Sequence, residues 1–113
     1  MAVGKRVVGQ YRHRVEIQEL VQYQDGSGNV VEEWETYTGA WAKISNLQGR
    51  QYWDAKQAQS EATGEIRTRY IEGVRPSMRI KHGERVYEIE SVFDPDERGE
   101  QLLFLVKERL GNG

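Results

Sequence analysis

The stretch His13-Arg14-Val15-Glu16-Ile17-Gln18-Glu19 alternates polar and apolar side chains. Val15 and Ile17 therefore fall on one face of an extended chain and the polar residues on the other, which is the period-two pattern of a half-buried β-strand. Residues 24–29, with the sequence Gln-Asp-Gly-Ser-Gly-Asn, come next and favour a reversal of the chain. Residues 30–37 then return as a second strand, so this part of the sequence predicts a β-hairpin.

Strand patterns continue through the rest of the chain. Gly39 interrupts the strand pattern after residue 37. Further strand-like segments follow at residues 40–45, 66–70, 78–81, 86–93 and 102–106. Residues 49–62 differ, because their apolar side chains recur at spacings of three and four, which favours a short amphipathic helix. We predict a mainly β fold: a small antiparallel barrel or sandwich of about seven short strands, with one short helix inserted in a long loop.

The composition allows one small domain. The chain has 113 residues, of which 37% are hydrophobic and 30% charged, so it can bury only a modest core. We expect a single β-barrel domain over residues 12–109. Residues 1–11 are expected to form a flexible basic N-terminal arm, since the first dozen residues include Lys5, Arg6 and Arg12 but no acidic residue. Residues 110–113 are expected to be a disordered tail.

Composition also excludes several kinds of site. The chain has no cysteine, which excludes disulfides, thiolate zinc sites and cysteine nucleophiles. Its two histidines, His13 and His82, do not have the spacing of a metal pair, and no serine lies in a recognisable nucleophile motif. We therefore predict that the protein is not an enzyme and uses no cofactor or metal. No apolar run approaches the length needed to span a bilayer, so we expect no membrane partner.

One pattern suggests nucleic-acid binding. Arg67 and Arg69 project from one face of their strand, and Arg79 and Lys81 from one face of theirs, so the four would form a basic stripe if the two strands pair in register. Such a stripe would suit an oligonucleotide-binding-type barrel that takes single-stranded nucleic acid. Glutamates are interleaved with these bases and the net charge is -2, so solvated charge pairs are the simpler interpretation.

The three tryptophans divide into two groups. Trp34 and Trp41 lie in predicted strands and are expected to belong to the core. Tyr52 and Trp53 are adjacent on the predicted helix and point in different directions, so both cannot face the barrel. One of these two side chains is a candidate for a surface that contacts a partner.

Six short segments occur in a fixed order along the chain: Arg12-His13-Arg14-Val15, Trp41-Ala42, Leu47-Gln48-Gly49-Arg50-Gln51, Arg67-Thr68-Arg69-Tyr70, Met78-Arg79-Ile80 and Tyr87-Glu88-Ile89. Together they resemble the head-tail joining proteins of tailed bacteriophages, also called head-closure, head completion or head-tail adaptor proteins. The resemblance extends from about Tyr11 to Glu108.

The resemblance implies a non-enzymatic virion protein. Members of the family dock as small barrels beneath the portal and its adaptor, close the DNA exit of the filled capsid and form a platform for tail proteins. They form a homo-oligomeric ring on that scaffold and are often monomers when free. By this resemblance the chain is made in the bacterial host cytoplasm, belongs at the head-tail junction of the virion, and lets DNA pass through the ring without sequence-specific binding.

The resemblance also implies a long loop that plugs or lines the DNA channel. The corresponding region is about residues 46–65, and its candidate channel and partner residues are Leu47, Gln48, Gly49, Arg50, Gln51, Tyr52 and Trp53. For the ring interface we suggest a basic N-terminal arm that meets an acidic edge of the second strand. These candidates are Lys5, Arg6, Arg12, Glu32, Glu33 and Glu35. A tail-tube or tail-terminator subunit shares this fold class and stays open as an alternative.

Overall fold

The computed structural model describes residues 11–47, 49–57 and 61–109. Within these ranges the chain forms six strands and one helix. They are β1 (His13–Gln24), β2 (Val30–Asn46), α1 (Arg50–Gln57), β3 (Gly64–Arg69), β4 (Arg79–His82), β5 (Arg85–Phe93) and β6 (Gln101–Arg109). No helix in this part of the chain is long and apolar enough to cross a membrane.

The strands form one antiparallel sheet that closes on itself in the order β1-β2-β3-β6-β5-β4. The predicted mainly β barrel is therefore confirmed. The described part has six strands instead of about seven, because the segments 30–37 and 40–45 belong to one continuous strand, β2. Gly39 does not break this strand. A Cβ atom at Gly39 would lie 2.6 Å from the Nη2 atom of Arg14, so the glycine makes room for that side chain.

The core lies inside the closed sheet. Alternate residues of the strands point inward, and the largest fully buried side chains are Phe104, Ile17, Ile66, Ile80, Val106 and Thr68. Burying one large apolar side chain contributes roughly 1.5–3 kcal/mol, so the apolar members of this set contribute much of the stability of the barrel.

The expectation that Trp34 and Trp41 belong to the core is wrong. Trp41 is 54% exposed, because Ala40 and Ala42 take the inward positions on either side of it in β2. Trp34 is half-buried, and the guanidinium of Arg79 covers its ring from the outer surface. Small residues therefore face the core in this strand, and both indoles lie on its outer face.

β1 and β2 are much longer than the strands beside them. β4 pairs with β1 only as far as Gln18, and β3 pairs with β2 only as far as Ala42. Beyond these points, within the described ranges, β1 and β2 pair with each other alone, up to the pair Gln24 and Val30. Residues 19–35 therefore form a two-stranded ribbon that extends about 20 Å past the barrel, here called the hairpin extension.

The tip of this extension is the reversal predicted at residues 24–29. The Asp25 side chain closes the turn: its Oδ1 atom accepts hydrogen bonds from the backbone nitrogens of Ser27 at 2.8 Å and Asn29 at 3.0 Å. Gly28 has a φ of 83°, a conformation that favours glycine. The turn is thus built from the residue types that made it recognisable in the sequence.

Candidate functional site

A chain of polar contacts fixes the base of the hairpin extension on the outer face of the barrel. The Glu16 carboxylate accepts hydrogen bonds from Thr36 Oγ1 at 2.6 Å and Gln18 Nε2 at 2.7 Å. Gln18 Oε1 in turn accepts a bond from Arg79 Nε at 2.7 Å, and the Arg79 guanidinium lies 4.2 Å from the centre of the Trp34 ring. We call these five residues the clamp. It links β4 to both strands of the ribbon.

Glu16 and Arg79 are the two ionised groups of the clamp, and the pKa of each is lowered. The hydrogen bonds from Thr36 and then Gln18 lower the pKa of Glu16. Burial lowers the pKa of Arg79. Glu16 is therefore held in its charged, hydrogen-bond-accepting form, which keeps the contacts with the ribbon intact at neutral pH.

A loop supports the extension from a second direction. In the segment between β3 and β4, the backbone oxygen of Glu72 accepts a hydrogen bond of 2.7 Å from the Tyr37 hydroxyl. Gly73 follows with a φ of 84°, and a Cβ atom there would collide with that hydroxyl. Arg75 of the same loop lies 3.8 Å from the Glu19 carboxylate. The clamp and this loop therefore contact the base of the ribbon from two directions.

The extension carries the acidic residues that the sequence singled out. Glu32 lies on one face and accepts a bond of 2.9 Å from Gln22 Nε2, whereas Glu33 and Glu35 lie on the opposite face. The hydrogen bond to Glu33 raises the pKa of Tyr23. All three glutamates are exposed, and their role in a ring interface stays a prediction.

Next to the base of the extension, β2 and β3 diverge and leave an open groove. Their pairing ends at Ala42 and Thr68, so the residues beyond these two strand positions separate. The resulting groove has a volume of about 550 Å³. Its lining includes Tyr11, Arg14, Gly39, Trp41, Arg69 and Ile71. We call it the Trp41 groove.

Arginine and tryptophan dominate the Trp41 groove. The Arg14 guanidinium lies over Gly39 and 5.6 Å from the centre of the exposed Trp41 ring. Among the described residues neither Arg14 nor Arg69 forms an ion pair. Sequence reasoning missed this site, although one signal pointed to it: in Ala40-Trp41-Ala42 the tryptophan must face away from the two inward alanines.

The basic stripe predicted from four cations does not form. It required β3 and β4 to pair, but the two strands are separated by β1 and β2 on one side and by β5 and β6 on the other. Arg67 instead lies 3.3 Å from Glu65, and Arg79 belongs to the clamp. Arg69 lines the Trp41 groove, and Lys81 is paired in register with a β1 residue. The prediction of the stripe failed because it depended on the order of the strands in the sheet, which no local sequence pattern encodes.

The candidate channel loop is described in part. Leu47 is buried, and its backbone nitrogen donates to the oxygen of Thr63 at 3.0 Å, so it anchors the segment. Gly49 precedes helix α1, Arg50 begins it, and Trp53 is 65% exposed on it. Arg12 lies exposed just before β1. Outside the described residues lie Gln48, the side chains of Gln51 and Tyr52, and Lys5 and Arg6 of the N-terminal arm.

The two histidines meet at the opening of the barrel formed by the start of β1 and the end of β4. The rings of His13 and His82 are 5.0 Å apart in an edge-to-face arrangement. The His82 Nδ1 atom is buried and has no hydrogen-bond partner among the described residues. Burial, and then the charges of His13 and Arg85, lower the pKa of His82. Within the described ranges, no group of three or more ligand side chains could hold a metal ion.

Solved structures of other proteins share the fold of this chain. The solution structure of a protein from Shigella flexneri 2a superposes with a TM-score of 0.68 at 29% identity, covering 89% of this chain and 95% of that one. A chain in the structure of the native gene transfer agent virion superposes with a TM-score of 0.57 at 22% identity, covering 88% of this chain and 96% of that one. No curated protein matches.

The sequence comparison assigns the family. Residues 8–109, nearly the whole chain, match the family described as phage head completion protein. This match confirms the family resemblance found in the sequence. The chain belongs to the phage head completion protein family and is a structural, non-enzymatic component of a phage-type virion.

Proposed function

We propose that this protein is the head-closure subunit of a tailed phage or prophage. Copies of it assemble as a ring on the portal and adaptor, close the DNA exit of the filled capsid and offer a platform to the tail. The observation that carries this proposal is the family match over residues 8–109. The gene transfer agent particle, a virion that contains a chain of the same fold, supports it at the level of the fold.

The shape of the subunit suits assembly into a ring. A ring needs two different surfaces on each copy, and both must be held in a fixed orientation if the circle is to close. The hairpin extension is one projecting surface, and the hydrogen bonds of the clamp tie its base to the barrel. The Trp41 groove is a separate recessed surface. Because each surface carries charged side chains beside its exposed apolar ones, a free subunit can remain a monomer until the scaffold gathers the copies.

DNA passes through such a ring without sequence-specific binding. The net charge of -2 gives no general attraction for a polyanion, and the cations at 67, 69, 79 and 81 do not form a continuous stripe. Residues 46–65, which include helix α1 and the exposed Trp53, are the segment we assign to the channel. We expect little binding of short single-stranded DNA at moderate salt in a titration of the purified protein.

Removing the gene tests the proposal. If the subunit closes the head, electron microscopy of particles made without it will show tailless heads that have lost their DNA. Heads that stay full and sealed but carry defective tails would instead indicate a tail-tube or tail-terminator subunit. Expression of the wild-type chain in the same cells serves as the control and restores complete particles.

A further inference from the structure

We propose that the hairpin extension of one copy docks into the Trp41 groove of the next copy, in a head-to-tail contact. This inference rests on the ring assembly proposed above and names the two surfaces that build it. It gives the acidic residues of the extension a partner on the neighbouring barrel, in addition to any contact with the N-terminal arm.

The two surfaces carry opposite charges that are unpaired within one copy. On the extension, Glu33 and Glu35 lie on the same face, and no cation among the described residues forms an ion pair with either. Arg14 and Arg69 line the groove. Neither of them pairs with a carboxylate among the described residues. A carboxylate that meets a guanidinium forms short, charge-assisted hydrogen bonds, so the two faces complement each other.

Both surfaces also expose apolar side chains. On the same face of the extension as Glu33 and Glu35, Tyr23 is 44% exposed, while Trp41 in the groove is 54% exposed. Aromatic side chains surrounded by charged ones are typical of the residues that contribute most to binding. Docking of this face would remove Tyr23 and Trp41 from water and would place the charged pairs around them.

One copy cannot satisfy these surfaces by itself. Glu35 and Trp41 belong to the same strand, six residues apart, which corresponds to about 20 Å along an extended chain. The clamp on one side and the Tyr37 hydrogen bond on the other prevent the ribbon from folding back. The partner of each surface therefore lies on another copy. Because the two surfaces differ, the contact repeats head to tail, which closes into a ring when the rotation between copies allows it.

Cysteine cross-linking tests this contact directly, because the chain contains no cysteine of its own. The variant carries Glu35→Cys on the extension and Arg69→Cys in the groove, and purified particles are treated with a short bis-maleimide. A head-to-tail contact between these surfaces gives a ladder of dimers, trimers and larger oligomers on a denaturing gel. Each single-cysteine variant should give no ladder, since one cysteine per copy can link only two copies.

A matched control places the second cysteine away from the groove. Glu88 lies exposed on β5, which is separated from β2 by two strands in either direction around the closed sheet. The variant with Glu35→Cys and Glu88→Cys should therefore give no ladder. Equal ladders from both double variants would contradict the proposed contact.

Charge reversal supplies a second readout. Glu35→Arg or Arg69→Glu alone should weaken the contact by about tenfold or more and reduce the number of complete particles. The two changes together should restore assembly, since each reversed extension then meets a reversed groove. If microscopy shows rings at the junction but the 35–69 ladder and this rescue are both absent, the inference is wrong and the proposed function stands. If no ring is present, both are wrong.

Discussion

Replacing Gln18 with leucine should loosen the hairpin extension from the barrel. Gln18 is 7% exposed, and its amide connects the Glu16 carboxylate to the Arg79 guanidinium across two strands. Leucine has a similar size but offers neither a donor nor an acceptor. The Gln18→Leu variant therefore keeps the packing and removes the polar link at the centre of the clamp.

The size of the effect follows from the hydrogen bond to Arg79. A net hydrogen bond to a charged group contributes roughly 1.5–3 kcal/mol, and the Arg79 guanidinium in the variant can still reach water in part. We expect the free energy of unfolding to fall by about 1–2 kcal/mol, which corresponds to a decrease of roughly 5–10 °C in Tm for a domain of this size. Residues 19–35 should also exchange their amide protons faster.

Gln22→Leu is the matched control. Gln22 lies on the same face of β1 and donates a similar bond of 2.9 Å to Glu32, but this pair is exposed and lies beyond the barrel. Its replacement should change stability by less than about 0.5 kcal/mol. Thermal unfolding followed by circular dichroism and amide exchange followed by NMR measure both variants. Equal effects at the two positions, or an extension that exchanges no faster in Gln18→Leu, would refute the reasoning.

Three further changes test other parts of the structure. Gly73→Ala should destabilise the fold by about 1–3 kcal/mol, because φ is 84° and the new Cβ would displace the Tyr37 hydroxyl, whereas Gly26→Ala, with open space around it, should be nearly neutral in the same thermal melts. Phe104→Ala should cost about 3–5 kcal/mol in denaturant unfolding, since this side chain is fully buried. The lowered pKa of His82 means that the folded state prefers the neutral ring, so this residue contributes stability above its ordinary pKa of about 6.5 that is lost as the pH falls below it. The Tm of wild type should therefore decrease more than that of His82→Gln between pH 7 and pH 5, and parallel curves would contradict this assignment.

Local patterns predicted most of the strands correctly. Alternation over residues 13–19 and the Asp-Gly-Ser-Gly-Asn turn depend on neighbours in sequence, and the structure confirms both. Gly39 was misread because a strand can use glycine for close approach of a distant side chain, here Arg14, as well as for a break. Trp41 was assigned to the core by residue type, although its alternation with two alanines favours the outer face.

The candidate site could not be predicted from any single segment of the sequence, because it depends on how the strands pair. The hairpin extension exists because β1 and β2 extend beyond the strands beside them, β4 and β3. Which strands pair, and over what length, is a property of the whole sheet. The same pairing separates Arg67 from Arg79 and so removes the predicted stripe. The acidic residues of the extension were found from the sequence, but the groove that lies beside its base required the structure.

The head-tail junction itself offers the most direct test of a ring built by the hairpin extension. An electron cryo-microscopy reconstruction of intact particles should show copies of this chain in a closed circle at the capsid exit, each with residues 19–35 seated against Trp41 of its neighbour. A junction in which this chain is absent from the circle, or in which the extensions of all copies point into solvent, would contradict that arrangement.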